Sequence, residues 1–370
     1  MNFLVQLLEE YFQEAARQDG IAARYFQIAK RNVAIQFAGD RWVADLTGAL
    51  AHLERPSVDM AGGLTVSVWD GGTAPANHLL RAYLFTLTNW WYSYTGPRGE
   101  LLDVHGGNIE AHYHPDTGTL SVVDRQRGRA FYWKRDRAAI PYYEECAPFR
   151  VLLHSYLRET GAHMVHGAAV GTSEAAVLLV GKGGSGKSTT ALACLHSGMR
   201  YAGDDYCVVA EDGDGGFDVH SLYCMAKLVA MSDLDRFPGL DRHVVNRTLE
   251  SGDKVAVSLQ AHTAGRLAEQ LPLRALLAPE IAGDGHTALV ACSAKEATLA
   301  LAPSTMAQLP FSGPKDLWFL GAMTRRLPCY RMLLGRDLQQ VSDRIAALLR
   351  AQGSKADGLE ANRVAAGSAR

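Results

Sequence analysis

The 370-residue chain contains six cysteines (Cys146, Cys194, Cys207, Cys224, Cys292 and Cys329), and no two of them form a Cys-x-x-Cys pair. Thiols so dispersed argue against a disulfide scaffold and read as small buried hydrophobes of a reducing compartment. No apolar run approaches the ~20 residues needed to span a bilayer. The opening segment MNFLVQLLEEYFQEAARQDG has apolar residues at helical spacing, but Glu9 and Glu10 interrupt it early. It therefore lacks the basic start and unbroken apolar core of a signal peptide. Charge of one sign is also missing: 37 Lys and Arg stand against 39 Asp and Glu, a net charge of −2. Such a balance provides no pull toward nucleic acid or an acidic membrane surface. The expectation is a cytoplasmic protein with neither as a partner. There is no internal repeat, and with 48% apolar and 21% charged residues the composition is globular rather than disordered.

A chain of this length can bury a large core and divide into two domains. Residues 1–145 are expected to form a strand-rich α+β domain, a candidate for substrate binding. FQIAKRNVAIQFAG and LTVSVWDGG are rich in β-branched and aromatic residues and are bounded by glycine. NIEAHYHPDTGTLSVVD reads as a hairpin turning at Pro115–Gly118, and AFYWKRD as a further strand. From CAPFRVLLHSYLRETG onward the character changes. Phe149, Leu152, Leu153, Tyr156 and Leu157 share a helix face that ends at Gly161. Residues 146–352 are expected to form the second domain, and the small, polar residues 353–370 a loose tail.

The strongest signal is LLVGKGGSGKSTT. Gly181–Ser188 matches G-x-x-x-x-G-K-[ST] at every specified position, with an apolar strand pattern before it and KSTTALACLHSG, a helix stopped by Gly198, after it. Glycines let backbone amides turn inward around an anion, and a helix N-terminus adds partial positive charge. The residues expected to hold a nucleoside triphosphate are Gly181, Lys182, Gly183, Gly184, Ser185, Gly186, Lys187, Ser188 and Thr189. Lys187 can reach the terminal phosphates, and the Ser188 hydroxyl can ligate a Mg²⁺ that bridges them.

Two adjacent carboxylates, Asp204 and Asp205, follow Lys187 by 17 and 18 positions, enough for one helix and a return on a neighbouring strand. One can hold a metal while the other accepts a proton from an attacking hydroxyl. Either a kinase or a hydrolase can use such a pair. His166, 21 residues before Lys187, starts a strand expected to run beside the loop.

In this order and spacing, HGAAV, GKGGSGKSTTALACLHSG and YAGDD resemble the HPr kinase/phosphorylase family and its phosphoenolpyruvate-carboxykinase-like relatives, over about Val165–Val209. The segments LPLRALLAPEI and RRLPCYRMLLG extend the likeness more diffusely. The resemblance implies an α/β fold: a P-loop catalytic domain of the phosphoenolpyruvate-carboxykinase/HPr-kinase type behind the strand-rich N-terminal domain. It implies ATP and Mg²⁺, with Lys187 on the phosphates, Asp204 as general base supported by His166, and Asp205 with Ser188 on the metal. The implied activity is transfer of the γ-phosphoryl group to a serine of a small protein or peptide. Relatives near lasso-peptide genes, which act on a precursor peptide, have the more similar layout. Around Lys227 there is no Glu-x-Arg-Gly, so the family's reverse reaction is not carried over. A small-metabolite or phosphoenolpyruvate-carboxykinase-like enzyme and a nucleotide-dependent switch are the alternatives, and a homo-oligomer is compatible with all three.

Weaker features remain. His105, His112 and His114 include an H-x-H, read as hairpin surface rather than metal site. TNWWYSYTG is read as an interface core. Lys227, Lys254, Arg274, Arg325, Arg326 and Arg331 are candidates to neutralise a transferring phosphate, most of them expected to be surface charges.

Overall fold

Helix α1 (Phe3–Asp19) buries Leu4, Val5, Leu8, Tyr11, Phe12, Ala15 and Ala16, one stripe at three- and four-residue spacing. In this computed structural model, residues 3–72, 95–102, 107–136, 140–263, 265–283 and 285–367 are described, with side chains as far as 352. The stripe of α1 packs on Trp69 and Phe131 of a seven-stranded sheet, with the Phe12 and Trp69 rings edge to face at 5.9 Å. The strands are β1 (Ile21–Ile28), β2 (Arg31–Ala38), β3 (Glu54–Arg55), β4 (Leu64–Asp70), β5 (Ile109–His114), β6 (Thr119–Asp124) and β7 (Arg129–Lys134). Their order is β3-β1-β2-β4-β7-β6-β5. The β5–β6 hairpin turns at Gly118, whose φ of +61° is left-handed. Of TNWWYSYTG, residues 88–94 lie outside the described residues, as does His105.

The chain divides into two compact units, Met1–His163 with Met306–Gly313, and Met164–Thr305 with Pro314–Arg370. The division thus falls beyond helix α2 (Arg150–Arg158), not before it. Polar ties hold α2 to the first unit: Ser155 Oγ donates to Glu110 on β5 at 2.5 Å, and Tyr156 OH to the Gly62 carbonyl at 3.0 Å. The excursion at 306–313 belongs there too, since Arg98 donates to the carbonyls of Met306 (2.6 Å) and Leu309 (3.0 Å). A composition pattern carries no trace of such a return.

In the second unit the strands are β8 (Ala162–Gly171), β9 (Ala176–Val180), β10 (Arg200–Gly203), β11 (Tyr206–Glu211), β12 (Phe217–His220), β13 (Met225–Leu228), β14 (Val255–Ser258), β15 (Gln270–Ile281), β16 (Ala288–Ala291) and β17 (Cys329–Leu334). Eight of them form one mixed sheet in the order β10-β8-β11-β12-β15-β17-β16, with β9 paired to β8 and β15; β13 and β14 pair separately. β9 runs parallel to β15 and is buried on both faces. Val177 and Leu179 point into one apolar cluster, and Ala176, Leu178 and Val180 into the other. That two-residue alternation explains why AAVLLV is apolar throughout. Helices cover both faces. On one lie α3 (Lys187–His196) and α6 (Leu338–Gly367), through Leu192, Leu195, Val341 and Ile345. On the other lie α4 (Ala294–Gln308) and α5 (Pro314–Arg326), through Leu301, Phe319, Leu320 and Met323. The protein is thus a mixed α/β molecule with several sheets. The backbone of α6 continues through most of the stretch expected to be a loose tail. Among the described residues no helix is long and apolar enough to cross a membrane.

Candidate phosphate-loop site

The glycine loop joins the C-terminal end of β9 to the N-terminus of α3. Gly181, Gly184 and Gly186 have φ of +144°, +78° and +102°, a backbone course that side chains oppose. At Gly186 space is short as well: a Cβ would lie 2.5 Å from Leu334 Cδ1. Lys187 opens the helix and is only 6% exposed. Its Nζ donates to the carbonyls of Gly181 (2.7 Å) and Lys182 (3.0 Å). Burial pushes the ammonium pKa down, and the charges of Asp204 and Asp205 partly offset this. Lys182 and Gly183 are exposed, and Thr189 is half-buried in the first turn of α3. A cavity of ≈ 510 Å³ opens beside the loop, bounded by Gly184, Ser185, Glu280 at the end of β15, and Leu299 and Pro303 of α4.

Asp204 and Asp205 occupy the bend between β10 and β11, next to a register shift between Tyr201 and Gly203. Asp205 adopts φ +67°, a conformation that aspartate tolerates better than most residues. The two carboxylates consequently face different partners. Asp204 is 2% exposed. Its Oδ2 accepts from the Lys227 backbone N–H at 3.2 Å, and the nearby Ser188 hydroxyl acts to lower the pKa of this carboxylate. Asp205 Oδ1 lies 3.4 Å from His166 Nε2, and its Oδ2 accepts from Lys227 Nζ at 2.7 Å. Its side chain is 22% exposed. Burial, and then the neighbouring Asp205 charge, raise the Asp204 pKa. For Asp205 burial acts in the same direction, but the Lys227 ammonium and the His166 hydrogen bond outweigh it, and the pKa falls far below the usual carboxylate range.

This geometry reverses the pairing implied by the sequence resemblance. His166 sits against Asp205 rather than Asp204, and Ser188 sits beside Asp204 rather than Asp205. The reason is local: the left-handed Asp205 turns its carboxylate toward β8, leaving that of Asp204 beneath the start of α3. Of the candidate cations, Lys227 on β13 is brought to the aspartates across a hairpin and a bend, a meeting with Asp205 that its spacing alone did not specify. Among the other cations, Lys254 acts on Lys187 through its charge alone, lowering its pKa further. Arg326 pairs with Glu211 and lies 4.4 Å from the Phe217 ring centroid, and Arg331 pairs with Glu280 at 2.8 Å.

The residues present fit a hard cation. Asp204 Oδ1 is buried without a hydrogen-bond partner among the described residues, and the Ser188 hydroxyl faces the same carboxylate. Mg²⁺ is commonly held by one or two such protein oxygens, with water and phosphate oxygens completing its shell. Among the described residues no group of three or more His, Cys, Asp and Glu is arranged to hold a metal. Contrary to the hairpin-surface expectation, His112 is buried, with its Nε2 2.7 Å from the Arg98 carbonyl, while the half-buried His114 accepts from the Thr117 N–H within the hairpin at 3.4 Å.

No family model matches the chain, and no curated protein matches it. Among solved structures the chain is similar to the HPr(Ser) kinase/phosphatase from Coxiella burnetii, at 11% identity over 54% of this chain and 96% of that one, with a TM-score of 0.30.

Proposed function

We propose that the second unit is an ATP-dependent phosphotransferase that delivers the γ-phosphoryl group to a hydroxyl. The observation that carries this reading is the convergence of Ser188, at the start of α3, with the buried, half-unpartnered carboxylate of Asp204, while the partly exposed Asp205 stands beside it against the buried His166. The loop amides and the helix N-terminus receive the phosphates, and Lys187 leaves the two loop carbonyls to meet them. Ser188 and Asp204 hold Mg²⁺, which when bound screens the phosphate charge. Asp205 takes the acceptor's proton, and His166 orients it.

Lys227 has a specific place in this reading. Its ammonium holds Asp205 in a weakly basic state. A phosphate arriving at the site competes for that ammonium, frees Asp205 Oδ2 and restores its basicity when the acceptor is in place. The acceptor we propose is a serine of a small protein or peptide, a reading supported by the HGAAV, GKGGSGKS and YAGDD resemblance and by the partial exposure of Asp205. The catalytic unit is accordingly of HPr-kinase type, and the first unit serves the acceptor.

The test is phosphoryl transfer from γ-labelled ATP to serine-containing peptides and small proteins, with and without Mg²⁺, in the wild type and in Lys187→Ala. Mg²⁺-dependent labelling of an acceptor, lost in the variant, is the expected result. Absence of nucleotide binding in the wild type would overturn the assignment.

A further inference from the structure

Cys292 and Cys329 are distant in sequence and opposed in the fold. β16 and β17 run antiparallel, pairing Ala288 with Leu333 and Ala291 with Tyr330, and the next step of this register sets Cys292 across from Cys329. The ladder continues to that step, since the Cys292 N–H donates to the Cys329 carbonyl at 3.0 Å. Directly opposed residues of an antiparallel pair share a face of the sheet. Both side chains accordingly join one apolar cluster, the one that α4 and α5 cover. Opposed Cα atoms on such a ladder lie about 4.5–5.5 Å apart, inside the range of roughly 4.4–6.8 Å that a disulfide bridges. Both cysteines are free thiols, and among the six in the chain Cys292 alone is not buried.

The two sulfurs are unequally placed. Cys329 is 7% exposed, and its thiol donates to the carbonyls of Leu327 at 3.2 Å and Thr324 at 3.4 Å, bonds that are weak for sulfur. Burial pushes its pKa up to about 11, and Cys292 adds to the shift, so the two thiols lie within electrostatic reach of each other. Cys292 is half-buried, between the end of β16 and Ser293, whose Oγ accepts from the Glu296 N–H at the start of α4. Burial and the Glu296 charge push its pKa up, Arg331 opposes them and Glu280 adds to them. We propose that Cys292 and Cys329 form a dithiol site that exchanges with a small-molecule disulfide and closes into an intramolecular disulfide. The Cys292 thiolate attacks one sulfur of that molecule and expels the other half as a thiolate. Cys329 gives its proton to water, attacks the Cys292 sulfur and expels the second half. The two cysteines together lose two electrons and two protons, and the small disulfide becomes two thiols. The new bond staples the start of α4 to β17. Leu299 and Pro303 of α4 bound the cavity beside the glycine loop, and Leu334 of β17 lies against Gly186, so the staple restrains two neighbours of that loop.

The inference does not rest on the phosphotransferase reading. Its test is incubation of the folded full-length chain with oxidised glutathione at mildly alkaline pH, where thiolate is available, followed by peptide mapping without reductant. The expected wild-type product is one cross-linked peptide pair joining Cys292 to Cys329, with no glutathione retained and the cross-link removed by reductant. Cys329→Ser should stop the reaction halfway and keep a glutathione adduct on Cys292, whereas Cys292→Ser should leave Cys329 unmodified. If Cys329→Ser fails to fold, the wild-type map and Cys292→Ser decide the question. A glutathione adduct that persists on Cys292 of the wild type, no reaction at Cys292, or a cross-link from Cys292 to any other cysteine overturns the proposal.

Discussion

His166 Nε2 stands 3.4 Å from Asp205 Oδ1, whereas the neighbouring Asp204 carboxylate accepts from the Lys227 amide and has the Ser188 hydroxyl nearby. Two residues adjacent in sequence are therefore chemically unlike, and their substitutions should separate. Asp205→Asn should keep the wild-type Mg²⁺ requirement and lose about 10²–10⁴ in transfer rate, the usual contribution of a general base. Asp204→Asn should raise the Mg²⁺ concentration needed for half-maximal rate, because it removes an anionic ligand oxygen. His166→Ala should fall between the wild type and Asp205→Asn. Mg²⁺ titrations of transfer rate check all three, and identical responses of the two aspartate variants would refute the division of labour.

Lys187→Ala should lower transfer by about 10²–10³, the scale for removing one preorganised charge-stabilising donor. The folded state should persist, because among the described residues the Lys187 ammonium bonds to two loop carbonyls. Saturating-ATP kinetics beside a thermal unfolding curve make the comparison.

Asp204→Asn should also stabilise the metal-free protein at neutral pH. The folded-state pKa of Asp204 is raised by burial and by Asp205, so ionising it costs the folded state free energy. Below the unfolded-state pKa both states hold the proton and there is no penalty. The penalty grows as pH rises from that value through the folded pKa and is complete above it. The stabilising effect of the substitution should therefore be absent below the unfolded-state pKa and grow as the pH rises toward and through the raised folded-state pKa, and added Mg²⁺ should reduce it by stabilising the wild type. Unfolding midpoints across pH, where about 2–4 °C corresponds to 1 kcal/mol in a domain this size, show whether the sign is right.

Lys227→Met should shift the acidic limb of the kcat/KM profile to higher pH. The ammonium is the chief force lowering the Asp205 pKa against its burial, so its loss lets that pKa rise. The carboxylate then needs a higher pH to be ionised. An unmoved acidic limb, with altered kcat alone, would mean that Asp205 is not the base.

Gly186→Ala should destabilise the fold by about 1–3 kcal/mol, the range for a side chain forced into an unfavourable backbone region. The added Cβ would meet Leu334 Cδ1 at 2.5 Å, so the Leu334 side chain must shift as well. Denaturant unfolding and nucleotide titration should both register the change.

The sequence by itself determined the local chemistry. The glycine pattern between an apolar strand and a helix specified a left-handed strand-to-helix loop, because only glycine adopts those dihedrals cheaply and the motif spans a few bonded residues. The AAVLLV run and the Pro115–Gly118 turn were legible for the same reason: periodicity and turn chemistry act within one element. What the tertiary structure alone decided is which side chains meet. The left-handed φ of Asp205, the arrival of Lys227 from β13, the seat of α2 with the first sheet and the return of residues 306–313 all depend on contacts between segments far apart in the chain. A residue's type and spacing do not encode the direction in which a bend turns its side chain. For this chain that direction separates the buried Asp204 carboxylate, bonded to the Lys227 amide, from the partly exposed Asp205 carboxylate beside His166.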